Sequence, residues 1–250
     1  MKNVATKAGK PRSGRKASRA RLTIDVVTLF GGFFKSPLGE SLLHKAQRKG
    51  LVKVRVRDLR DWTHDRHKTA DDKPFGGGAG MVMKPEPIFE CVEEVGKGAW
   101  VVLLDPQGEP MNQRLARHLA QKRHLVLIAG HYEGVDQRVK EHLVDQEISI
   151  GDFITMGGEA PALCLIEAVI RLLPGVLGNK ASTENESFEN GFLEYPQYTR
   201  PRDYRGWKVP EILVSGDHNK VKAWRQVAAE QITRQKRPDL LKPSKGSKTD

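Results

Sequence analysis

The sequence predicts an α/β protein built on a mainly parallel sheet, and three observations carry that expectation. Short apolar runs rich in β-branched residues alternate with helical patterns from about residue 85 to residue 173, as expected of strands covered on both faces by crossover helices. Glycine-containing loops follow those runs at residues 104–108, 129–134 and 150–159, at the strand carboxyl ends where such sheets gather ligands. A 38% hydrophobic fraction over 250 residues suffices for one main core and a smaller second piece.

Taken in order, residues 1–21 hold eight Lys/Arg and no acid, so most of the formal charge of +11 belongs to this tail. It has no apolar run and is neither a secretory signal nor a membrane span; a cytoplasmic protein is expected. Its composition predicts disorder and suits an RNA-binding arm, an organellar transit peptide or a start placed too far upstream. LTIDVVTLF at 22–30 reads as a buried strand bounded by Gly31-Gly32. A helix is expected from Ser36 to about Lys49, with Pro37 in its first turn. LVKVRVRD then alternates strictly, which places Val52, Val54 and Val56 on one face and Lys53, Arg55 and Arg57 on the other. That basic face should be wet or turned to an anion. From Arg60 to Lys84 no periodicity survives, and a polar loop of that length in a compact domain is usually functional or disordered.

Regular alternation follows: helix 85–95, strand 99–104, loop 105–110, a helix to about 122, strand 125–129, helix 135–144 and strand 147–150. The stretch from Ile148 to Gly178 crosses a glycine-broken loop and enters an apolar helix stopped by Pro174. Free backbone N–H groups at such a helix start point at whatever binds there. Cys91 and Cys164 lie in apolar helical patterns and are expected to be buried thiols in a reducing compartment. Residues 178–191 read as a polar linker. Beyond it, aromatics interleaved with Arg precede an amphipathic helix at 218–236, a composition suited to RNA, with a solvated helix on a small aromatic core as the plainer alternative.

Several chemistries find no support. No GxxxxGK[ST] and no GxGxxG after the first strand are present, against P-loop and ordinary dinucleotide sites. No GxSxG elbow occurs. His64 and His67 lack helical i,i+4 spacing and neighbouring Cys, so a zinc site is not expected. A Mg2+ site leaves no pattern that can be read in the sequence, and no metal ligands are assigned.

Six blocks, in order and at familiar spacing, carry a likeness to a known family: THDRHKTADDKPFGGGAGMVM, DPQG, GHYEGVDQRV, SIGDFITMGGEAPA, RLLPGVLGN and YPQYTRP. Over roughly residues 22–241 the chain resembles the bacterial tRNA (guanine-N1)-methyltransferases, of the SPOUT class. The resemblance implies a sheet tied in a deep trefoil knot, an exception to the rule against threaded chains, and a small helical C-terminal domain. Composition gives a disordered tail at 1–21, a flexible linker at 178–191 and a tail at 243–250, and the resemblance implies a knotted cofactor-binding catalytic domain at 22–177 and a tRNA-binding domain at 192–242. It further implies methyl transfer from S-adenosyl-L-methionine to N1 of the guanosine at tRNA position 37, 3′ of the anticodon, by a homodimer with shared active sites and no membrane association.

Carried over residue by residue, the cofactor contacts implied in the first loop are Leu103, Leu104, Gln107 and Gly108. Gly130, His131, Glu133 and Gly134 follow in the second. The third contributes Ile148, Ile150, Gly151, Thr155, Gly157, Gly158 and Pro161. Backbone amides hold adenine edges and a carboxylate, so this pocket needs glycines more than charges. His67, Asp71 and Asp72, Gly80 and Ser182 are implied to seat the guanosine. Arg171 matches the family's catalytic arginine and Glu186 the position of its general-base aspartate, with Glu184 as a rival. The chain departs from the family pattern with Gly-Gly after Phe30, Ala79 in the glycine cluster, Asp105 where Ser is common, and glutamate at 186. Two alternatives stay open: another SPOUT RNA methyltransferase, and a catalytically silent RNA-binding protein of the same fold.

Overall fold

The structure is a computed structural model describing residues 20–178 and 186–241. These divide into two compact units, the first running to Met111 and including His118–Val176, the second comprising Asn112–Arg117 and the chain from Leu177 onward.

The first unit opens with β1 (Leu22–Thr28), followed by a 3-10 turn, Gly31–Phe34. The single helix expected over 36–49 is instead two, α1 (Lys35–Leu38) and α2 (Ser41–Arg48). Glu40 is extended and Ser41 has a positive φ of 47°, so the helical path is interrupted immediately after Gly39. β2 (Val52–Asp58) follows, and the long segment after it carries more order than its composition predicts. It contains a 3-10 turn at Leu59–Trp62 and a two-stranded antiparallel ribbon of β3 (Asp71–Asp72) and β4 (Val82–Met83). Leu59, Ala70 and Met83 are buried in the main core. Three apolar residues spread over about 25 positions have no period, which is why the sequence reads as a loop.

The remainder alternates as expected: α3 (Pro85–Val95), β5 (Trp100–Pro110), α4 (Gln113–Ala120), β6 (His124–Ala129), α5 (Gln137–His142), β7 (Gln146–Ser149) and α6 (Glu159–Ile170). Five strands form one sheet in the order β2-β1-β6-β5-β7, and every pairing is parallel. Their apolar runs are buried almost completely: Leu22, Ile24, Val26 and Val27 of β1 and Leu125 to Ala129 of β6 are 0% exposed. Asp25, at the middle of β1, is equally buried. Arg55 Nη2 and Arg57 Nε donate to its carboxylate at 2.7 Å each, and His124 Nε2 lies 2.8 Å away. The anion faced by two of the three basic side chains of β2 is therefore the neighbouring strand's own aspartate.

Residues 105–110, expected as a loop, continue β5 after an irregularity. Leu104 pairs with Ile148, and so does Glu109. The chain between them makes an excursion and returns to the same residue of β7. Gly108 crosses the Glu147–Ile148 peptide so closely that a Cβ there would overlap its backbone atoms.

Cys91 is buried, but Cys164 is exposed, contrary to the expectation. On α6 the inward stripe is taken by Pro161, Ala162, Leu165, Ile166, Val169 and Ile170, which leaves positions 164 and 167 outward.

The second unit contains a hairpin that the sequence reading missed, β8 (Asp203–Tyr204) and β9 (Trp207–Lys208), and the helix α7 (His218–Lys236). Arg205 and Gly206 at the hairpin turn both have positive φ, 58° and 85°, as a two-residue type I′ connection requires. Asp217 caps α7 by accepting from the N–H groups of Asn219 and Lys220. Part of the aromatic-basic pattern is spent inside the unit: Arg225 lies over Tyr195, Trp224 beside Tyr198, and Arg237 over Phe188.

Candidate functional site

Three loops converge where β5, β6 and β7 end. They enclose a pocket of about 430 Å³, within the range of small-ligand and cofactor sites. The first is the excursion after Leu104. Asp105 accepts from the N–H of Gln107, and Lys140 of α5 reaches the Asp105 carboxylate at 2.8 Å and Glu147 at 3.2 Å. Lys140 thus fastens this loop to the start of β7. Burial works against its ammonium, but the bonds to Asp105 and Glu147 outweigh it and hold the pKa above the ordinary lysine value.

The second loop, residues 130–134, turns through Tyr132, whose φ is 60°. It is stitched to the end of the long 60–84 segment. Glu133 N–H donates to the Met81 carbonyl, Met83 N–H to that of Gly134, and Asp136 N–H to that of Met83. Gly80, with φ of 84°, lies so close to Glu133 that a Cβ would come within 2.5 Å of its Oε1. The positive φ favours glycine here, and a side chain would also have to displace that of Glu133.

The third loop, 150–158, delivers the N-terminus of α6. Gly158 is the N-cap and donates its N–H to the Gly130 carbonyl at 2.7 Å, and a Cβ on it would meet Ala129 Cα at the same separation. Gly157 bridges to His131. Beneath this junction Glu159 is 4% exposed; it accepts a 2.7 Å hydrogen bond from the Thr28 hydroxyl and stands 3.5 Å from Nδ1 of His131. Glycines thus let two of the loops pack closely, with a buried carboxylate behind them bracing the junction.

Of the residues the resemblance assigns to the cofactor, Leu103, Leu104, Gln107, Gly130, His131, Glu133, Gly134, Ile148, Ile150, Gly151, Thr155, Gly157, Gly158 and Pro161 all line this pocket. Gly108 is not in the lining and packs on the Glu147–Ile148 backbone. Asp71 is half-buried in β3, His67 is exposed, and Gly80 stands against Glu133. Arg171 is the C-cap of α6 in the first unit, while Glu186 belongs to the second. Ser182 and Glu184 lie outside the described residues. The sequence reading missed Lys140, whose partners are remote in sequence; it grouped Glu159 with Gly157 and Gly158 in one pocket, and the structure places that carboxylate behind the pocket wall. It also missed the exposed apolar rim of Phe153, Ile154 and Met156. Among the described residues no group of three His, Cys, Asp or Glu could hold a metal ion. His64 pairs with Glu90.

A parallel α/β sheet with a glycine-rich pocket at its strand carboxyl ends has the geometry of a small-ligand site. Comparison with known proteins makes the class specific. The chain belongs to the family described as tRNA (Guanine-1)-methyltransferase TrmD, matched over residues 22–243. It is 53% identical over 230 residues to a tRNA (guanine-N(1)-)-methyltransferase of Dictyoglomus turgidum, covering 92% of this chain and 94% of the relative. It is 54% identical to proteins of the same description from Geobacillus kaustophilus, covering 88% of this chain and 91% of the relative, and Gloeobacter violaceus, covering 89% and 99%.

Proposed function

We propose that the protein methylates N1 of the guanosine at position 37 of tRNA, using S-adenosylmethionine bound among the three loops. The observation that carries this reading is their convergence into one glycine-walled pocket in a chain of this family. Gly157 and Gly158 let the start of α6 pack directly against His131 and the Ala129–Gly130 backbone, and a helix N-terminus set beside the pocket suits an anionic group such as the cofactor's carboxylate. S-adenosylmethionine supplies an electrophilic methyl group on its sulfonium. The protein's own residues hold the donor, keep water out and manage one proton.

N1 of guanine carries a proton at neutral pH and must lose it as the new bond forms. Glu186 takes that proton in this reading, and Arg171 stabilises the negative charge developing toward O6. The excursion of β5 around Ile148, with Gly108 lying across the β7 backbone, supports a deep trefoil knot. The apolar rim of Phe153, Ile154 and Met156 supports a homodimer in which the partner's 60–84 segment seats the guanosine. The second unit grips the tRNA, with Tyr204 and Trp207 exposed on the hairpin. No helix among the described residues is long and apolar enough to cross a membrane, and the cytoplasm is the proposed site of action.

The test is mass spectrometry of unmodified tRNA transcript incubated with the purified protein and S-adenosylmethionine. One methyl at N1 of guanosine 37 is expected. Methylation at another atom or position would displace the assignment.

A further inference from the structure

A basic concavity of the first unit lies at the opposite end of the sheet from the loops just described. It has a volume of about 810 Å³ and is formed where β1, β2 and β6 begin and where the chain approaches β5. Arg21, Lys53, Arg55, Lys97, Arg123 and His124 line it, and among the described residues no acidic one does. Arg55 and His124 are committed to Asp25. The side chains of Arg21, Lys53, Lys97 and Arg123 are exposed and form no ion pair among the described residues. Four uncompensated cations around one concavity repel one another, and nothing in the packing of the core requires them: the strands beneath are held by apolar contacts and by the neutralised Asp25.

We propose that this basin is a phosphate-binding site for the backbone of RNA, separate from the cofactor pocket. The charge selects a polyanion. Its lining selects phosphates over bases, because apart from the imidazole of His124 it offers no aromatic ring on which a base could stack. A free nucleotide would leave its base without a platform, whereas a strand of RNA presents successive phosphates to cations arranged around an open basin. The seven residues of β1 separate the two ends of the sheet by about 20 Å at roughly 3.3 Å per residue, so the basin engages phosphates remote from the reacting guanosine. The sequence continues from its edge at Ala20–Arg21 into the acid-free stretch of residues 1–19, which carries seven more Lys/Arg. That the RNA is tRNA rests on the proposed function; the phosphate chemistry does not.

The test combines a variant with a measurement on the unaltered protein. In Arg21→Gln/Lys53→Gln/Lys97→Gln/Arg123→Gln, tRNA affinity at about 100 mM salt should fall roughly tenfold or more, and the slope of log affinity against log salt should become shallower by about 3–4, at roughly 0.7–0.9 for each of the four phosphates that the variant no longer neutralises. S-adenosylmethionine affinity should be unchanged. On the wild-type protein, bound tRNA should protect Lys53 and Lys97 from lysine acetylation read by mass spectrometry, an outcome independent of whether the variant folds. An unchanged salt slope in a folded variant overturns the proposal. So does equal labelling of both lysines with and without tRNA, or protection by inorganic pyrophosphate but not by tRNA. Either failure with guanosine methylation intact refutes the basin alone, while absence of methylation by the wild-type protein would refute the proposed function instead.

Discussion

The hydroxyl of Thr28 donates to Oε1 of Glu159 across 131 residues of sequence, tying the end of β1 to the first turn of α6 at 2.7 Å. Both groups are buried, and Glu159 also faces His131 of the neighbouring loop. Thr28→Val removes one partner and leaves a buried carboxylate oxygen unsatisfied, a loss of about 1–3 kcal/mol. Chemical denaturation should show that loss. Isothermal titration should show weaker binding of S-adenosylmethionine, because Gly157 and Gly158 lose their brace.

Gly158 and Gly32 offer a matched pair of substitutions. A Cβ at Gly158 meets Ala129 Cα at 2.7 Å and Gly130 N at 2.8 Å, whereas at Gly32 nothing lies within 4 Å and φ is not positive. Gly158→Ala should cost about 1–3 kcal/mol or more by overpacking against backbone and should abolish cofactor binding. Gly32→Ala should leave the melting temperature and the binding isotherm close to wild type.

Lys140 clamps the first pocket loop through Asp105 and Glu147. Lys140→Met should weaken cofactor binding more than it lowers stability, as read by titration beside a thermal melt. The native pKa is raised above the ordinary 10.5, so the clamp is whole below that pH and is lost only as pH rises through the higher native value. Asp136 behaves oppositely. Its hydrogen bonds from the Arg138 side chain hold its pKa below 3.8, so its contribution is present above about that pH and disappears as pH falls through the lower native value. A stability profile that is flat with respect to both groups between about pH 5 and 9 is the expected result.

Glu186→Gln removes the proposed base while preserving shape. Single-turnover methylation should fall about 10²–10⁴-fold, with S-adenosylmethionine affinity unchanged. Near-normal turnover in this variant, together with an inactive Glu184→Gln, would move the role two residues upstream.

Cys91 is enclosed by the core, and burial pushes its thiol up to about 12. Iodoacetamide at about pH 8 should leave it unlabelled in the folded protein and modify it once denaturant is added, as peptide mapping would show.

The alternating half of the first unit was legible because its signals are local. Residues 125–129 and 165–170 announce a strand and a helix by their own apolar content, and the pocket residues fall on glycines that follow such runs. What escaped depends on pairs distant in sequence. Nothing near Lys140 indicates Asp105, 35 positions earlier, and nothing near Asp25 indicates that Arg55, Arg57 and His124 surround it. The split of the first helix needed the positive φ of Ser41, a conformation that serine rarely advertises. The hairpin at Tyr204–Trp207 had a usable signal in Arg205-Gly206, hidden by flanking strands of only two residues each.

The sheet order sets a timetable for the growing chain. β6 lies between β1 and β5, both synthesised before it, so neither can complete its edge until residue 129 has left the ribosome. At roughly 5–20 residues per second, the hundred or so residues separating Thr23 from its partner His124 take about 5–20 s to make. During that interval the apolar strand β1 keeps an open edge, the kind of surface that nascent-chain chaperones cover and that aggregates when expression outruns them.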